Sequence, residues 1–323
     1  MKKVLFATSA LVMSAGFAVA EVAVSGDGRM GVIYDGDDVQ FSSRARVLFT
    51  LTGESDAGLS FGGQFRVDQQ DEAGGKASDG TAGVVWISGT YGKLSMGDPV
   101  GAAEAAIGDL YAIGYTDGTF AGDMEEVTYL VGDGANTDQG PTILYEYSID
   151  NIGFFASATD GNGGDDEVAY SLAANYDAGN WKAGLAYSKH GDASEIGLCA
   201  EANFDAFSVK AVYMHYDDRF GGIDPTDRSW EDDAAGPLEW DYTIGLAAAY
   251  NVDAWTIKGF VRQDKAEVLL TGDSAKLRTI GIGADYDLGG GAVLAGGIAN
   301  QDLDVAGVGS DETVADLGIK FKF

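Results

Sequence analysis

Apolar and polar residues alternate along most of the chain after residue 20. In the first such segment Val22, Val24 and Met30 stand at even positions, whereas Asp27 and Arg29 stand at odd positions. A period of two residues predicts a β-strand that has one apolar and one polar face. About sixteen segments of this kind succeed one another between residues 21 and 323.

The connections between these segments alternate between two lengths. Short turns rich in Asp, Asn and Gly alternate with longer stretches that are acidic and rich in Gly. This alternation predicts an all-β fold, a 16-stranded antiparallel transmembrane β-barrel with short periplasmic turns and long outer loops. A soluble β-sandwich has the same strand period and is the alternative. The long stretches are residues 35–40, 69–80, 98–141, 160–166, 189–194, 217–241, 263–275 and 301–312.

Two features of the pattern favour the barrel. Aromatic residues gather at the ends of the apolar faces, where the interfacial girdles of a membrane barrel would lie. The opposite faces carry small and polar residues even at strand centres, which suits a water-filled lumen. The aromatic residues are Tyr34, Phe41, Tyr145, Tyr176, Trp181, Tyr187, Phe207, Tyr213, Tyr242, Tyr250, Trp255 and Tyr286.

The first twenty residues have the composition of a secretory signal peptide. Lys2 and Lys3 precede an apolar run, and small residues precede the cleavage expected after Ala20. A membrane anchor is the alternative, but the apolar run is shorter than the roughly twenty residues that a spanning helix needs. The predicted organisation is therefore a signal peptide over residues 1–20 and one barrel over residues 21–323.

The charge and the rare residue types exclude several other functions. The chain has 51 acidic and 20 basic residues and a net charge of −31, which disfavours binding to nucleic acid. One Cys and two His allow neither an intramolecular disulfide nor a thiolate metal cluster. No Ser or Cys stands at a spacing that suggests a catalytic partnership with either His, so we expect no enzyme.

Several stretches resemble the general diffusion porins of purple non-sulfur bacteria, the Rhodobacter type. They are EVAVSGDGRMGVIYDGDDVQFSSRARVLFTLTGESDAGLSFG, YGKLSMGDPVGAAEAAIGDLYAIGYTDG, DYDLGGGAVLAGGIANQDL and VADLGIKFKF. The resemblance implies a homotrimer in the outer membrane of a Gram-negative cell. It also implies that the third long loop, residues 98–141, folds into the barrel and narrows the pore.

Charged residues on the polar faces are the candidates for the pore constriction, because charges at the narrowest section set ion selectivity. Four arginines on three consecutive segments share the inward parity, and the resemblance gives them the basic side of the constriction. Acidic residues of the third long loop would face them. The alternative is that the arginines pair locally with carboxylates such as Asp68 and only stiffen the wall. The candidates are Arg29, Arg44, Arg46 and Arg66 on the basic side and Asp98, Glu104 and Asp109 on the acidic side.

The third loop is dense in carboxylates, and divalent cations would relieve their mutual repulsion. Oxygen ligands favour calcium, and the resemblance implies structural calcium in this loop. The candidate ligands are Glu104, Asp109, Asp123, Glu125 and Asp133. A solvated acidic surface without a fixed ion is the alternative, since the spacing fits no compact calcium loop.

These observations predict a passive diffusion channel for small hydrophilic solutes and ions, with a weak preference for cations from the acidic excess. A closed structural or adhesion barrel and a substrate-selective porin are the alternatives. Contact surfaces for the trimer are expected between residues 81 and 96 and near both chain ends. Outer-membrane lipid and lipopolysaccharide are expected around the barrel, where Arg278 and Lys189 share the outward parity and suit anionic headgroups.

Overall fold

The structure, a computed structural model, describes residues 21–70, 81–116, 124–132, 141–161, 167–223, 230–232 and 236–323. Within these ranges the chain forms eighteen strands and one short helix. In chain order they are β1 (Glu21–Tyr34), β2 (Val39–Glu54), β3 (Ser60–Gln70), β4 (Thr81–Gly89), β5 (Gly92–Gly97), α1 (Ala102–Ile107), β6 (Thr142–Ile149), β7 (Ile152–Thr159), β8 (Ala169–Asp177), β9 (Trp181–His190), β10 (Ala193–Phe204), β11 (Phe207–Asp217), β12 (Phe220–Ile223), β13 (Trp230–Asp232), β14 (Leu238–Val252), β15 (Trp255–Val268), β16 (Ser274–Gly289), β17 (Ala292–Val305) and β18 (Val308–Lys322).

Sixteen of the described strands form a closed antiparallel barrel. Each pairs with its neighbours along the chain, and β1 pairs with both β2 and β18, so the sheet has no free edge. The remaining two, β12 and β13, form a small hairpin in the connection between β11 and β14. The predicted fold class is confirmed, and this extra hairpin is an addition to it.

Large apolar side chains lie on the outside of the barrel and are exposed. Ile280 and Ile282 on β16, for example, keep 52% and 58% of their surface exposed. Aromatic rings pack together at the short-turn end, where the ring centroids of Trp255 and Tyr286 lie 4.7 Å apart. At the loop end Tyr213 and Tyr242 lie 6.3 Å apart. Exposed apolar residues between two aromatic belts are typical of a surface that faces lipid.

In the part of the chain that the structure describes, no helix is both long and apolar enough to cross a membrane.

Three of the predicted outer loops are shorter than expected, because the strands continue through them. Between β9 and β10 only residues 191–192 lie outside the strands, and between β17 and β18 only Ala306 and Gly307 do so. Both of the latter have positive φ, as a tight hairpin turn of the mirror-image type requires. The connection between β15 and β16 is likewise reduced to residues 269–273. Strand pairing therefore extends farther on the loop side than the composition indicated.

The third long connection, between β5 and β6, enters the barrel. Its helix α1 packs against the inner surface of β7, β8, β9 and β10. The apolar core lies between this connection and the wall, where Ile107, Leu110 and Tyr129 pack with Met214 and Phe260. The predicted signal peptide and its cleavage after Ala20 lie outside the described residues.

Candidate functional site: the lumen and its in-folded loop

The four predicted arginines lie on one wall of the lumen, on β1, β2 and β3. The strand register places Arg29 directly opposite Arg44 on one side and Lys320 of β18 on the other. These three form one row of cations across neighbouring strands. Arg46 follows Arg44 on the inward face of β2, and Arg66 occupies the inward face of β3. Sequence reasoning had not included Lys320, because strand closure alone brings it beside Arg29.

Carboxylates on the same wall pair with three of these arginines. Arg46 makes two hydrogen bonds of 2.9 Å to Asp68, and Arg66 Nε lies 3.4 Å from the same carboxylate. Arg44 Nη2 donates to Asp27 Oδ1 at 3.0 Å. The local pairing that was left open is thus present at these positions. These six side chains, four arginines and two carboxylates, together carry a net charge of +2.

The three acidic residues predicted for the constriction lie in three different environments. Asp98 is exposed just after β5, and Glu104 lies on α1. Asp109 follows the helix, and its Oδ1 accepts the Val127 N–H at 2.9 Å. The cations that act on Asp109 are Lys210 of β11 and Arg262 of β15, which lie on the wall behind the loop. Both have inward parity in the sequence, and this was the signal that could have pointed to them.

Burial raises the pKa of Asp109 above its ordinary value, against the opposing effects of the Val127 hydrogen bond, Lys210 and Arg262. The nearby Tyr129 hydroxyl, whose pKa burial and the carboxylates raise well above its ordinary value, stays protonated.

We expect the Asp109 charge to be lost on acidification before the charges of ordinary aspartates, which titrate at about pH 3.9. Because its pKa is raised on folding, Asp109 contributes stability at low pH, and this contribution is lost as the pH rises through the folded value. Reversal potentials measured from pH 7 to pH 4 should show a decrease in cation preference that begins above the pH at which ordinary aspartates titrate. Asp109→Asn should abolish this first decrease. The same pH dependence of the reversal potential in the wild type and in Asp109→Asn would mean that Asp109 does not contribute to the selectivity of the pore.

A chain of buried hydrogen bonds fixes the start of α1 to the wall. The N–H groups of Ala102 and Ala103 donate to the hydroxyls of Ser157 and Ser171 at 2.9 and 3.1 Å. The Ser171 hydroxyl in turn donates to Ser188 on β9 across 2.9 Å, because Ser188 gives its single proton to the carboxylate of Glu195. These serines occupy inward strand positions, so small hydroxyl side chains here replace the water that would otherwise satisfy the helix amides.

A buried ion pair holds the return half of the loop. Glu195 on β10 accepts the Leu130 N–H at 3.0 Å and the Ser188 hydroxyl at 2.7 Å. Arg219, 1% exposed, lies 3.7 Å from Glu195 and donates to the Tyr129 carbonyl at 3.2 Å. Its guanidinium stacks on Trp240, 4.2 Å from the ring centroid. Both halves of the loop therefore meet at one polar network in the wall.

Asp316 on β18 anchors the loop at the opposite side of its path. One carboxylate oxygen accepts the N–H groups of Tyr115 and Thr116 and the Thr116 hydroxyl, at 3.0, 3.2 and 2.8 Å. The other oxygen accepts the Gly297 N–H at 2.9 Å. The described parts of the loop are thus tied to the wall from β7 around to β18, inside the lumen.

Close backbone packing brings the two described ends of the loop together. A Cβ on Gly101 would stand 1.9 Å from the Val131 carbonyl oxygen. Gly132, with φ of +97°, packs on the Gly101 nitrogen in the same way. Only glycine allows this approach, so these two positions fix how the outgoing and returning segments cross.

The predicted calcium ligands are only partly visible. Asp123 and Asp133 lie outside the described residues. Within the described ranges no three His, Cys, Asp or Glu side chains converge in a way that could hold a metal ion. Asp109 is directed to the Val127 N–H rather than toward other carboxylates. Calcium in this loop stays a prediction.

A closed transmembrane barrel with a loop fixed inside its lumen is the architecture of pore-forming outer-membrane proteins. The profile of the family described as Gram-negative porin matches residues 7–306, and the chain belongs to that family. Its fold and family together indicate an outer-membrane channel.

Individual relatives agree with this assignment. The chain is 41% identical over 317 residues to a porin of Rhodobacter capsulatus, which covers 94% of this chain and 100% of the relative. A porin of Fuscovulum blasticum is 26% identical over 332 residues, with 94% and 100% of the two chains covered. The structure of a porin refined at 1.8 Å is 35% identical and has a TM-score of 0.70, with the same coverage. The predicted resemblance to Rhodobacter porins is confirmed.

Proposed function

We propose that this protein is a passive, weakly cation-preferring diffusion channel for small hydrophilic solutes and ions. The observation that supports an open lumen is the exposure of charged inward side chains. Arg66 and Lys93 both point into the barrel, yet their side chains are 38% and 45% exposed. Charged groups keep this exposure in a barrel only where water fills the interior. Both cations are paired on the wall, with Asp68 and Glu146, and a barrel packed shut would bury these ion pairs rather than leave the cations exposed.

The distribution of charge supports the proposed selectivity. The wall of β1 to β3 has an excess of arginine, whereas the in-folded loop contributes Glu104, Asp109 and further carboxylates. Opposite charges on two sides of a narrow section would produce a transverse field, which orients dipolar solutes while the centre stays passable. The acidic excess of the whole chain favours cations at the pore mouths.

The assembly is part of the same proposal. We infer a homotrimer from the likeness to Rhodobacter porins, formed after removal of residues 1–20. The exterior of β4 and β5 offers apolar side chains such as Val85, Ile87 and Met96, which are exposed in the single chain. Large exposed apolar surfaces are covered by lipid or by another subunit.

Single-channel recording of the refolded mature protein in a planar bilayer tests the proposal. We expect large ohmic openings in groups of three and a reversal potential, in a salt gradient, that indicates a small preference for cations. A folded barrel that never conducts would contradict the channel and favour the structural alternative. Saturation of the current by one solute would favour a substrate-selective porin instead.

A further inference from the structure

Three cationic side chains lie together on the lipid-facing surface of the barrel. They are Lys265 on β15 and Lys276 and Arg278 on β16, and the register places Lys265 directly opposite Lys276. Lys276 and Arg278 share their face of β16 with Ile280 and Ile282. The three cations therefore point away from the lumen, as the parity of Arg278 predicted. A group of cations on an otherwise apolar exterior calls for a chemical explanation, because charge at mid-membrane depth is unfavourable.

The depth of these residues gives that explanation. Trp255 and Tyr286 mark the aromatic belt at the short-turn end. Arg278 precedes Tyr286 by eight residues on β16. With about 3.4 Å per residue and a strand tilt of about 40°, it lies roughly 21 Å above that belt, and Lys276 lies roughly 26 Å above it. The apolar band of such barrels is about 25 Å tall. Both side chains therefore reach the headgroup level of the outer leaflet.

The two β16 cations are available to a ligand. Among the residues that the structure describes, no carboxylate lies within ion-pair distance of Lys276 or Arg278, and Arg278 has only a 3.5 Å hydrogen bond to Gln263. Lys265 is partly engaged, because its Nζ lies 2.6 Å from Asp241 and 5.7 Å from the centre of the Tyr242 ring.

We propose that Lys276 and Arg278, with Lys265 beside them, bind the phosphate of a lipid headgroup in the outer leaflet. Guanidinium and ammonium groups are the usual protein partners of phosphate, and Arg278 can offer two parallel N–H donors. The apolar surface below them, with Ile280 and Ile282, would lie along the acyl chains of the same lipid. This inference rests on the membrane placement that the proposed function assumes, and it does not depend on conduction.

Two carboxylates on β17 lie next to the cations of the proposed phosphate site. The register places Asp302 of β17 opposite Arg278 and Asp304 opposite Lys276. Both carboxylates would repel a phosphate that approached over β17, so the phosphate should lie toward β15. Replacing Asp302 by Asn should therefore strengthen binding.

Native mass spectrometry of the full-length mature barrel in detergent micelles tests the site. The probes are diphosphoryl lipid A, phosphatidylcholine and inorganic phosphate alone. We expect lipid A to bind most tightly, because each cation near the headgroups adds roughly fivefold in affinity. Lys276→Gln/Arg278→Gln should weaken lipid A binding by about 25-fold. Lys258→Gln removes a lysine from the lumen face of β15, on the other side of the same strand, and should leave lipid A binding unchanged.

Planar-bilayer conductance of the same variants separates this inference from the proposed function. The wild type and both variants should all form open ion-conducting channels, which also shows that they are folded. Equal lipid A binding by the double variant and the wild type would overturn the site, whether or not the barrel conducts. Inorganic phosphate bound as tightly as lipid A would also overturn it, since the site would then serve a free anion.

Discussion

Replacing the central arginines of the basic wall by glutamate is expected to raise the cation-to-anion permeability ratio by about tenfold or more. The variant is Arg44→Glu/Arg46→Glu/Asp68→Asn. The third change is needed because Asp68 is 2% exposed and accepts both hydrogen bonds of Arg46. Without it, two carboxylates would stand side by side in a buried place, and the barrel would be destabilised by several kcal/mol. Asp27, the partner of Arg44, is 31% exposed, so water screens its repulsion from a new glutamate and it is left unchanged.

The magnitude follows from the charge that changes. The variant makes the wall more negative by three unit charges. One unit charge acts on an ion about 7 Å away in water with roughly 0.6 kcal/mol, and about 0.1 M salt halves this. The variant therefore stabilises a cation in the pore by about 0.9 kcal/mol and destabilises an anion by about the same amount. The difference of about 1.8 kcal/mol changes the permeability ratio by more than a factor of ten.

Reversal potentials in a salt gradient measure this effect. Arg278→Glu is the matched control, because it changes the same residue type on the lipid side of the barrel. The control should keep the wild-type reversal potential. An equal shift in both variants would assign selectivity to the overall charge, and no shift in the lumen variant would place the filter elsewhere in the pore.

Removing the cation of the buried ion pair is expected to destabilise the barrel and to release the loop. Arg219→Met leaves Glu195 charged and buried without its partner, which typically costs about 3–5 kcal/mol. It also removes the hydrogen bond to the Tyr129 carbonyl and the stacking on Trp240. We expect a lower urea midpoint for unfolding and open-channel current that fluctuates between several levels.

The double variant Glu195→Gln/Arg219→Met distinguishes the ion pair from general packing. Neutralising both partners removes the uncompensated charge, so it should be more stable than Arg219→Met alone by a measurable coupling energy. The glutamine can still accept the Leu130 N–H, so the current should be quieter than in the single variant. Equal stability of the two variants would argue against the ion pair.

The control for this prediction is a lumen lysine that makes no hydrogen bond or ion pair with the described residues of the loop. Lys258 on β15 pairs with Asp285 at 3.0 Å, and Lys320 lies 3.9 Å from the same carboxylate. Because Lys320 remains, Lys258→Met should cost less than Arg219→Met and should leave the current steady. Fluctuation in this control would mean that any charge lost from the wall disturbs the pore.

The sequence by itself determined the strands, their faces and the class of fold. Residue alternation is a local property, because successive side chains of a strand point to opposite sides whatever the neighbours are. It therefore predicted that Arg29, Arg44, Arg46 and Arg66 face the lumen and that Arg278 faces lipid. Resemblance to known porins added the in-folded third loop.

Only the tertiary structure decided which groups meet. Closure of the barrel brings Lys320 of β18 beside Arg29 of β1, although nearly the whole chain separates them. Glu195, Arg219 and Asp316 stand far in sequence from residues 115–116 and 129–130, yet they hold these residues in place. The composition of residues 189–194 and 301–312 indicated loops, whereas cross-strand hydrogen bonding extends the hairpins through them. Partners of buried charges and the lengths of hairpins depend on contacts between distant strands, and no local pattern records these contacts.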